Sequence, residues 1–187
     1  MRTDSSTACT SSRRAEHGCE AQHAVGWLGL AVFALAQVCI WFAGPDSVVS
    51  HVGAGGEPDA WMPKGRSVGV SFLIGAIIVA VILLCRLLVR VVPAGLVNIP
   101  SARAHRYWTS PEHRPEFNAR MNAWLSMVGG AVLMGVACLN LELAFALPAG
   151  RPPFVAVHLG WVIPAVVLGC AAYLCLWLVR IPARRGA

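Results

Sequence analysis

Four long apolar runs, divided by polar connections rich in glycine and proline, organise the chain: Val25 to Gly44, Val68 to Cys85, Ala123 to Leu147 and Val155 to Val179. Each approaches the length, about 20 residues, that a helix needs to cross a hydrocarbon core about 30 Å thick. Inside lipid every backbone N–H and C=O must be satisfied within the segment, so runs of this kind become helices. The pattern predicts an all-α integral membrane protein, a four-transmembrane-helix bundle with spans at about 25–44, 68–89, 123–147 and 155–179 in one membrane domain, 25–182. Residues 1–24 carry Ser, Thr and charge with almost no large apolar side chain, which predicts a disordered cytoplasmic tail. A basic tail, 183–187, follows the domain. Arg13 and Arg14 raise a signal-peptide reading, but the apolar run starts ten residues later and no small-x-small cleavage pattern follows it, which favours a retained first span.

Composition agrees with the periodicity. The chain is 57% hydrophobic and 13% charged, where soluble domains carry about 25% charged residues. The connections are too short to bury cores of their own, which excludes a separate catalytic domain of ordinary size. A net charge of +6 suggests nucleic acid as a partner, yet the basic residues flank the spans. Of the 15 Lys and Arg residues, only Lys64, Arg66 and Arg151 lie in the first and third connections. The remaining basic residues sit in the N-terminal tail, in the second connection (Arg86, Arg90, Arg103, Arg106, Arg114, Arg120) and at the C-terminus. Basic residues favour the cytoplasmic side, so both termini and the second connection are expected inside, in contact with the lipid bilayer and with no nucleic acid. Trp27, Trp41, Trp124, Trp161 and Trp177 fall toward span ends, where indoles settle at headgroup level.

Cysteine usage indicates no disulfide framework: there are seven, an odd number, and none lies in the first or third connection. Cys170 and Cys175 have no nearby His or acidic residue, so no metal is expected there. Small residues four apart (Ser71 and Gly75, Ala76 and Ala80, Ser126 and Gly130, Ala131 and Gly135, Ala165 and Gly169) suit close helix packing. Pro164 removes an N–H inside the fourth span and predicts a kink.

The first connection holds Gly53, Gly55 and Gly56, but Lys64-Gly65 has the wrong order for a phosphate-binding loop. Pro45, His51, Gly56, Asp59 and Lys64 follow in the order proline, histidine, glycine turn, acid, lysine. That arrangement resembles the signature of a bacterial membrane domain of unknown function shared with the N-terminal part of SdpI-type toxin-immunity proteins. In the second connection Asn98-Ile-Pro100 and Tyr107-Trp108-Thr-Ser-Pro111-Glu112 resemble the motif of a four-span branch of that family. The resemblance runs from about Trp27 to the end of the fourth span. It implies a multi-pass protein of the bacterial inner membrane that senses or confers immunity, meeting an extracellular peptide outside and a cytosolic regulator inside. Those immunity proteins are longer, with spans this chain lacks.

Physically, the second connection reads as a platform at which Arg86 and Arg90 snorkel and Tyr107 and Trp108 lie at the interface, either anchoring to anionic lipid or docking a cytosolic protein. Pro115 and Glu116 suit the first turn of a helix. Glu142 and His158 are the ionisable residues within spans, and counting at 1.5 Å per residue puts them at similar depth on adjacent helices. They are expected to pair beneath a loop that brings His51, Glu57 and Asp59 over them, as a structural clasp or as a proton- or metal-responsive site. No cofactor motif and no nucleophile, base and oxyanion constellation is present, so the expected class is a binding protein and not an enzyme. A small proton- or metal-coupled transporter or channel and a structural scaffold are the competing readings.

Overall fold

The computed structural model describes the backbone of residues 5–53, 56–150 and 154–179, and the side chains of 18–53, 56–150, 154, 158, 165 and 168–179. The calls on Gly55, Arg151 and the 183–187 tail lie outside the described residues, and those on Cys9, Arg13, Arg14, Trp161 and Pro164 fall on residues of which only the backbone is described. The chain is mostly helical: α1 (Ser5–Ala43), a hairpin of β1 (Ser47–Val52) and β2 (Pro58–Pro63), α2 (Lys64–Val91), α3 (Ala102–Thr109), α4 (Arg114–Leu141) and α5 (Phe154–Val179). A 3-10 turn, Ala94–Leu96, precedes α3, and a π-helical turn, Glu142–Ala146, extends α4. Three helical stretches are long and apolar enough to cross a membrane, Gly18–Ala43, Lys64–Val91 and Arg114–Ala146, and the apolar helix Leu168–Val179 is shorter. At 1.5 Å per residue the first is about 39 Å long, more than the hydrocarbon core demands.

Helix α1 continues upstream of the first apolar run to Ser5, where a disordered tail up to Ala24 was expected. Extending an existing helix adds a hydrogen bond for each residue fixed and avoids the nucleation cost that keeps an isolated polar segment unfolded. The last turn of that extension also gains a tertiary contact, since His23 Nδ1 lies 3.1 Å from Ser126 Oγ on α4.

The seam between α1 and α4 is the closest helix crossing among the described residues. A Cβ at Gly29 would overlap the Gly130 carbonyl, and one at Gly26 would stand 2.8 Å from the Ser126 carbonyl oxygen. Of the small-residue pairs read from the sequence, Ser126 and Gly130 therefore lie at this crossing, where missing side chains let two backbones approach. Further along, Phe33 and Ala36 pack on Leu133 and Ala137, and Ile40 clusters with Ala144, so the two helices run parallel. Helix α2 runs the other way: Gly75 admits the Phe33 ring, which meets Phe72 edge-on at 6.1 Å, and Val68 joins Ile40. Ser71 accepts a 3.0 Å hydrogen bond from Asn140 Nδ2 of α4, a polar tie in an apolar setting. The opposite face of α2 (Leu73, Ile77, Leu84, Leu88) is exposed, as a lipid-facing surface is.

Because α1 and α4 are parallel, their starts share one end of the bundle with α3, and the hairpin caps the other end. Helix α4 begins as its sequence indicates, with Pro115 in the first turn and Glu116 beside it. The six described cysteines are free.

Candidate ligand-binding site at the hairpin end

The connection between the first two spans is a β-hairpin and not an open loop. β-branched residues in Ser47–Val52 favour extended backbone, and Pro45 stops α1 just before them. The strands pair antiparallel, Val48 with Met62 and Val49 with Trp61, and the register shifts between Val49 and His51. Val48 and Val49, in the regular pairs before the shift, are each about 1% exposed. Val48 packs with Ile40, Val68 and Ala144, so the hairpin rests on α1, α2 and the π-helical turn together. At the tip Gly56 takes φ of 86°, a conformation that costs glycine nothing, and its N–H bonds the Gly53 carbonyl at 2.9 Å.

Lys64 closes the base of the hairpin. Its backbone N–H donates to the Asp46 carbonyl at 2.9 Å, its Nζ donates to the Gly44 carbonyl at 3.3 Å, and Nζ lies 3.1 Å from Asp46 Oδ1. On the outer surface His51 Nδ1 donates to Asp59 Oδ1 at 2.6 Å, with the two side chains 67% and 50% exposed. The five motif positions of the first connection therefore share one small unit: Pro45 ends α1, Gly56 makes the tip, Lys64 ties the base, and His51 with Asp59 forms the exposed pair. An imidazole held by a carboxylate in water offers a hydrogen-bonding and ionic contact for a peptide or other polar ligand.

Glu142 and His158 do not complete this site in the expected way. Glu142 is buried, about 6% exposed, in the π-helical turn beside β1. His158 is exposed, with Nδ1 donating to the Phe154 carbonyl of its own helix at 2.6 Å and its ring stacked on Phe154 at 4.4 Å. The described contacts of His158 are thus with its own helix, where a pairing with Glu142 was expected. Equal depth brings two residues together only if their helices also present them to each other, and residue counting along the chain does not give that rotation. No group of three His, Cys, Asp or Glu side chains suited to a metal ion occurs among the described residues.

At the other end the second connection is packed and not displayed. Trp108, read as an interfacial side chain, is about 2% exposed, and its Nε1 donates to the Leu178 carbonyl at 2.9 Å. Ser101 caps α3, accepting from the Ala104 N–H at 3.4 Å, which sets the helical register that turns Ala104 and Trp108 inward against Ile99, Phe117 and Leu178. Tyr107 stacks on His113 at 3.8 Å, and Trp177 packs on Trp108 at 4.6 Å. Arg114 donates from Nη2 to the Val89 carbonyl at 3.0 Å and the Val92 carbonyl at 2.8 Å, capping the C-terminal end of α2. Asn98, Pro100, Pro111 and Glu112 remain exposed.

Sequence reasoning passed over the uncharged polar residues within the spans. Gln37 is about 1% exposed and neither amide atom has a hydrogen-bond partner, while Asn140 bonds Ser71. The available signal was an amide side chain interrupting an apolar run. Comparison with known proteins found no matching family model, no matching curated protein and no matching solved structure.

Proposed function

We propose that this is a multi-pass membrane binding protein of sensing or immunity-like type, which takes an envelope ligand at the hairpin and acts without turnover. One observation carries the reading. The hairpin's exposed side holds the His51–Asp59 pair, while its buried side, through Val48, rests on the Ala144 turn that ends the helix carrying the α3 cap at its start. A ligand that binds one hairpin arrangement more tightly than another would shift the population of both, and α4 is the element through which that difference reaches the α3 end. The motif resemblance supports the same class: a peptide outside, and inside a cytosolic regulator meeting the surface that Asn98, Pro111 and Glu112 leave open.

In this reading α5 is the fourth span, both termini and the α3 end lie in the cytoplasm of a bacterial cell, and the hairpin faces the envelope. The distribution of basic residues supports that orientation, because the hairpin connection holds only Lys64 and Arg66. The transporter reading keeps one observation of its own, a buried carboxyl group, Glu142, in a π-helical turn, since ionisable groups at membrane depth mark ion or proton pathways.

The test uses a photo-reactive amino acid in place of Trp61, whose side chain is exposed on the hairpin. Cells expressing this variant should yield an adduct with one envelope peptide or protein, and His51→Ala should abolish it. No adduct, together with proton flux in reconstituted vesicles that disappears in Glu142→Gln, would replace the proposal with transport. Orientation is checked separately in a cysteine-free background: an impermeant maleimide should label Asp59→Cys and spare Glu112→Cys in intact cells.

A further inference from the structure

A concavity lies near the α3 end, away from the hairpin, in a groove between α1, α2 and α4. Its volume is about 180 Å³. Leu30, Ile78, Ile82, Leu83 and Leu133 form its walls, and the Gly26–Gly130 crossing forms its floor. His23 and Arg86 stand at the end nearest α3. Counted from His23 to Leu30 the groove runs about 10 Å along the helix axes, toward the middle of the bilayer. It opens sideways, since Trp27 and Leu83 at its lip are 72% and 56% exposed.

The charges around it are unevenly used. Three arginines are half-buried among the described residues, Arg86, Arg114 and Arg120. Arg114 holds the α2 carbonyls, and Arg120 pairs with Glu116 at 2.8 Å beneath the Trp177 ring. Arg86 donates to no protein acceptor among the described residues. A guanidinium withdrawn from bulk water with no acceptor forgoes charge-assisted hydrogen bonds that a phosphate would supply in bidentate form. His23 donates its Nδ1–H to Ser126 Oγ, whose own hydroxyl donates to the Asn122 carbonyl at 3.0 Å, so the ring is fixed at the mouth and the donors free for an anion there are those of Arg86.

We infer that this groove holds one acyl chain of an anionic phospholipid from the surrounding leaflet, with the lipid phosphate on Arg86 beside His23. Arg86 lies five residues before the end of α2, about 8 Å inward along the axis, a depth from which the side chain reaches the headgroup level. The volume suits the assignment: an apolar cavity of about 150 Å³ admits a single benzene ring, so this one takes a stretch of one chain while the rest of the lipid stays in the bilayer. Basic pockets between membrane helices are a known form of headgroup recognition. The site is distinct from the α3 platform, where Trp108 is buried and Arg114 is occupied.

The experiment is native mass spectrometry of the full chain released from bilayer nanodiscs containing equal phosphatidylglycerol and phosphatidylcholine. The native protein should retain one phosphatidylglycerol at least fivefold more often than phosphatidylcholine. Arg86→Gln should remove the preference, and Arg90→Gln, an exposed arginine one turn on and outside the groove, should keep it. Leu83→Trp fills the groove and leaves Arg86 in place, so it should lower retention even if Arg86→Gln folds poorly. Equal retention of the two lipids, equal loss in Arg86→Gln and Arg90→Gln, or unchanged retention in Leu83→Trp would each overturn the inference.

Discussion

The two ends of the bundle close over it with opposite allocations of their side chains. At the hairpin end valines face the helices, and the groups able to make directional contacts, His51 and Asp59, face water. At the α3 end the most versatile side chains are spent internally: Trp108 bonds a helix terminus, Tyr107 stacks on His113, and Arg114 caps the carbonyls of α2. Residue type alone would assign recognition to the α3 end, which holds the aromatics and arginines that dominate binding surfaces. Burial reverses that assignment. A buried tryptophan with its N–H satisfied stabilises the fold and offers nothing to a partner, whereas an exposed histidine–carboxylate pair contributes little to stability and remains available.

If the contrast holds, substitutions at the α3 end act on stability and substitutions at the hairpin surface act on binding. The largest effect is expected from Trp108→Ala, which empties a buried site and leaves the Leu178 carbonyl unpaired, at a cost of about 3–5 kcal/mol. Chemical denaturation in detergent would measure it, and a change below about 1 kcal/mol would mean that Trp108 is not buried as described. Arg114→Met should follow at about 1.5–3 kcal/mol, because charge-assisted bonds to two α2 carbonyls are lost while the side-chain length is kept. Faster hydrogen exchange confined to the end of α2 would identify the cause.

Val48→Ala probes the buried side of the hairpin and sharpens the comparison from within the same unit. Removing two methylene equivalents from a buried position costs about 1.5 kcal/mol. The loss should appear as hydrogen exchange in β1 and in the turn Glu142–Ala146 together, since Val48 packs on Ala144. Exchange that rises in β1 alone would separate the hairpin from α4 and remove the route proposed between the two ends.

How much of this was legible in the sequence depends on which coordinate is asked for. Position along the chain follows from counting residues, and the apolar runs and the start of α4 at Pro115 were read that way, while Ser126 and Gly130 were one of five small-residue pairs whose partner helix the sequence left open. Rotation about a helix axis does not follow from counting. Trp108 turns inward because Ser101 fixes the register of an eight-residue helix, and a polar, aromatic segment that short reads equally well with either face buried. Glu142 is buried while His158 is exposed and bonded to its own helix, a difference that counting residues does not give. The hairpin had a readable signal, β-branched residues between Pro45 and the glycines, but Val48 and Val49 are buried in succession, which breaks the alternation that marks a strand. Arg114 and Gln37 act through individual hydrogen bonds, or the lack of them, which composition does not encode.

The smallest stability effect and the most decisive functional one are expected from the same change, His51→Ala. Its bond to Asp59 is short, 2.6 Å, but the side chains are 67% and 50% exposed. Water and salt screen such a pair, so its loss should cost less than about 1 kcal/mol. Ligand capture at the hairpin should nevertheless fall at least tenfold, which corresponds to about 1.4 kcal/mol of binding free energy. Asp59→Asn tests whether the carboxylate orients the imidazole or acts on its own. If orientation is the role, His51→Ala and Asp59→Asn each weaken capture and the double variant is no weaker than His51→Ala. Additive losses would make the two side chains independent contacts, and unchanged capture in all three variants would move recognition away from the pair altogether.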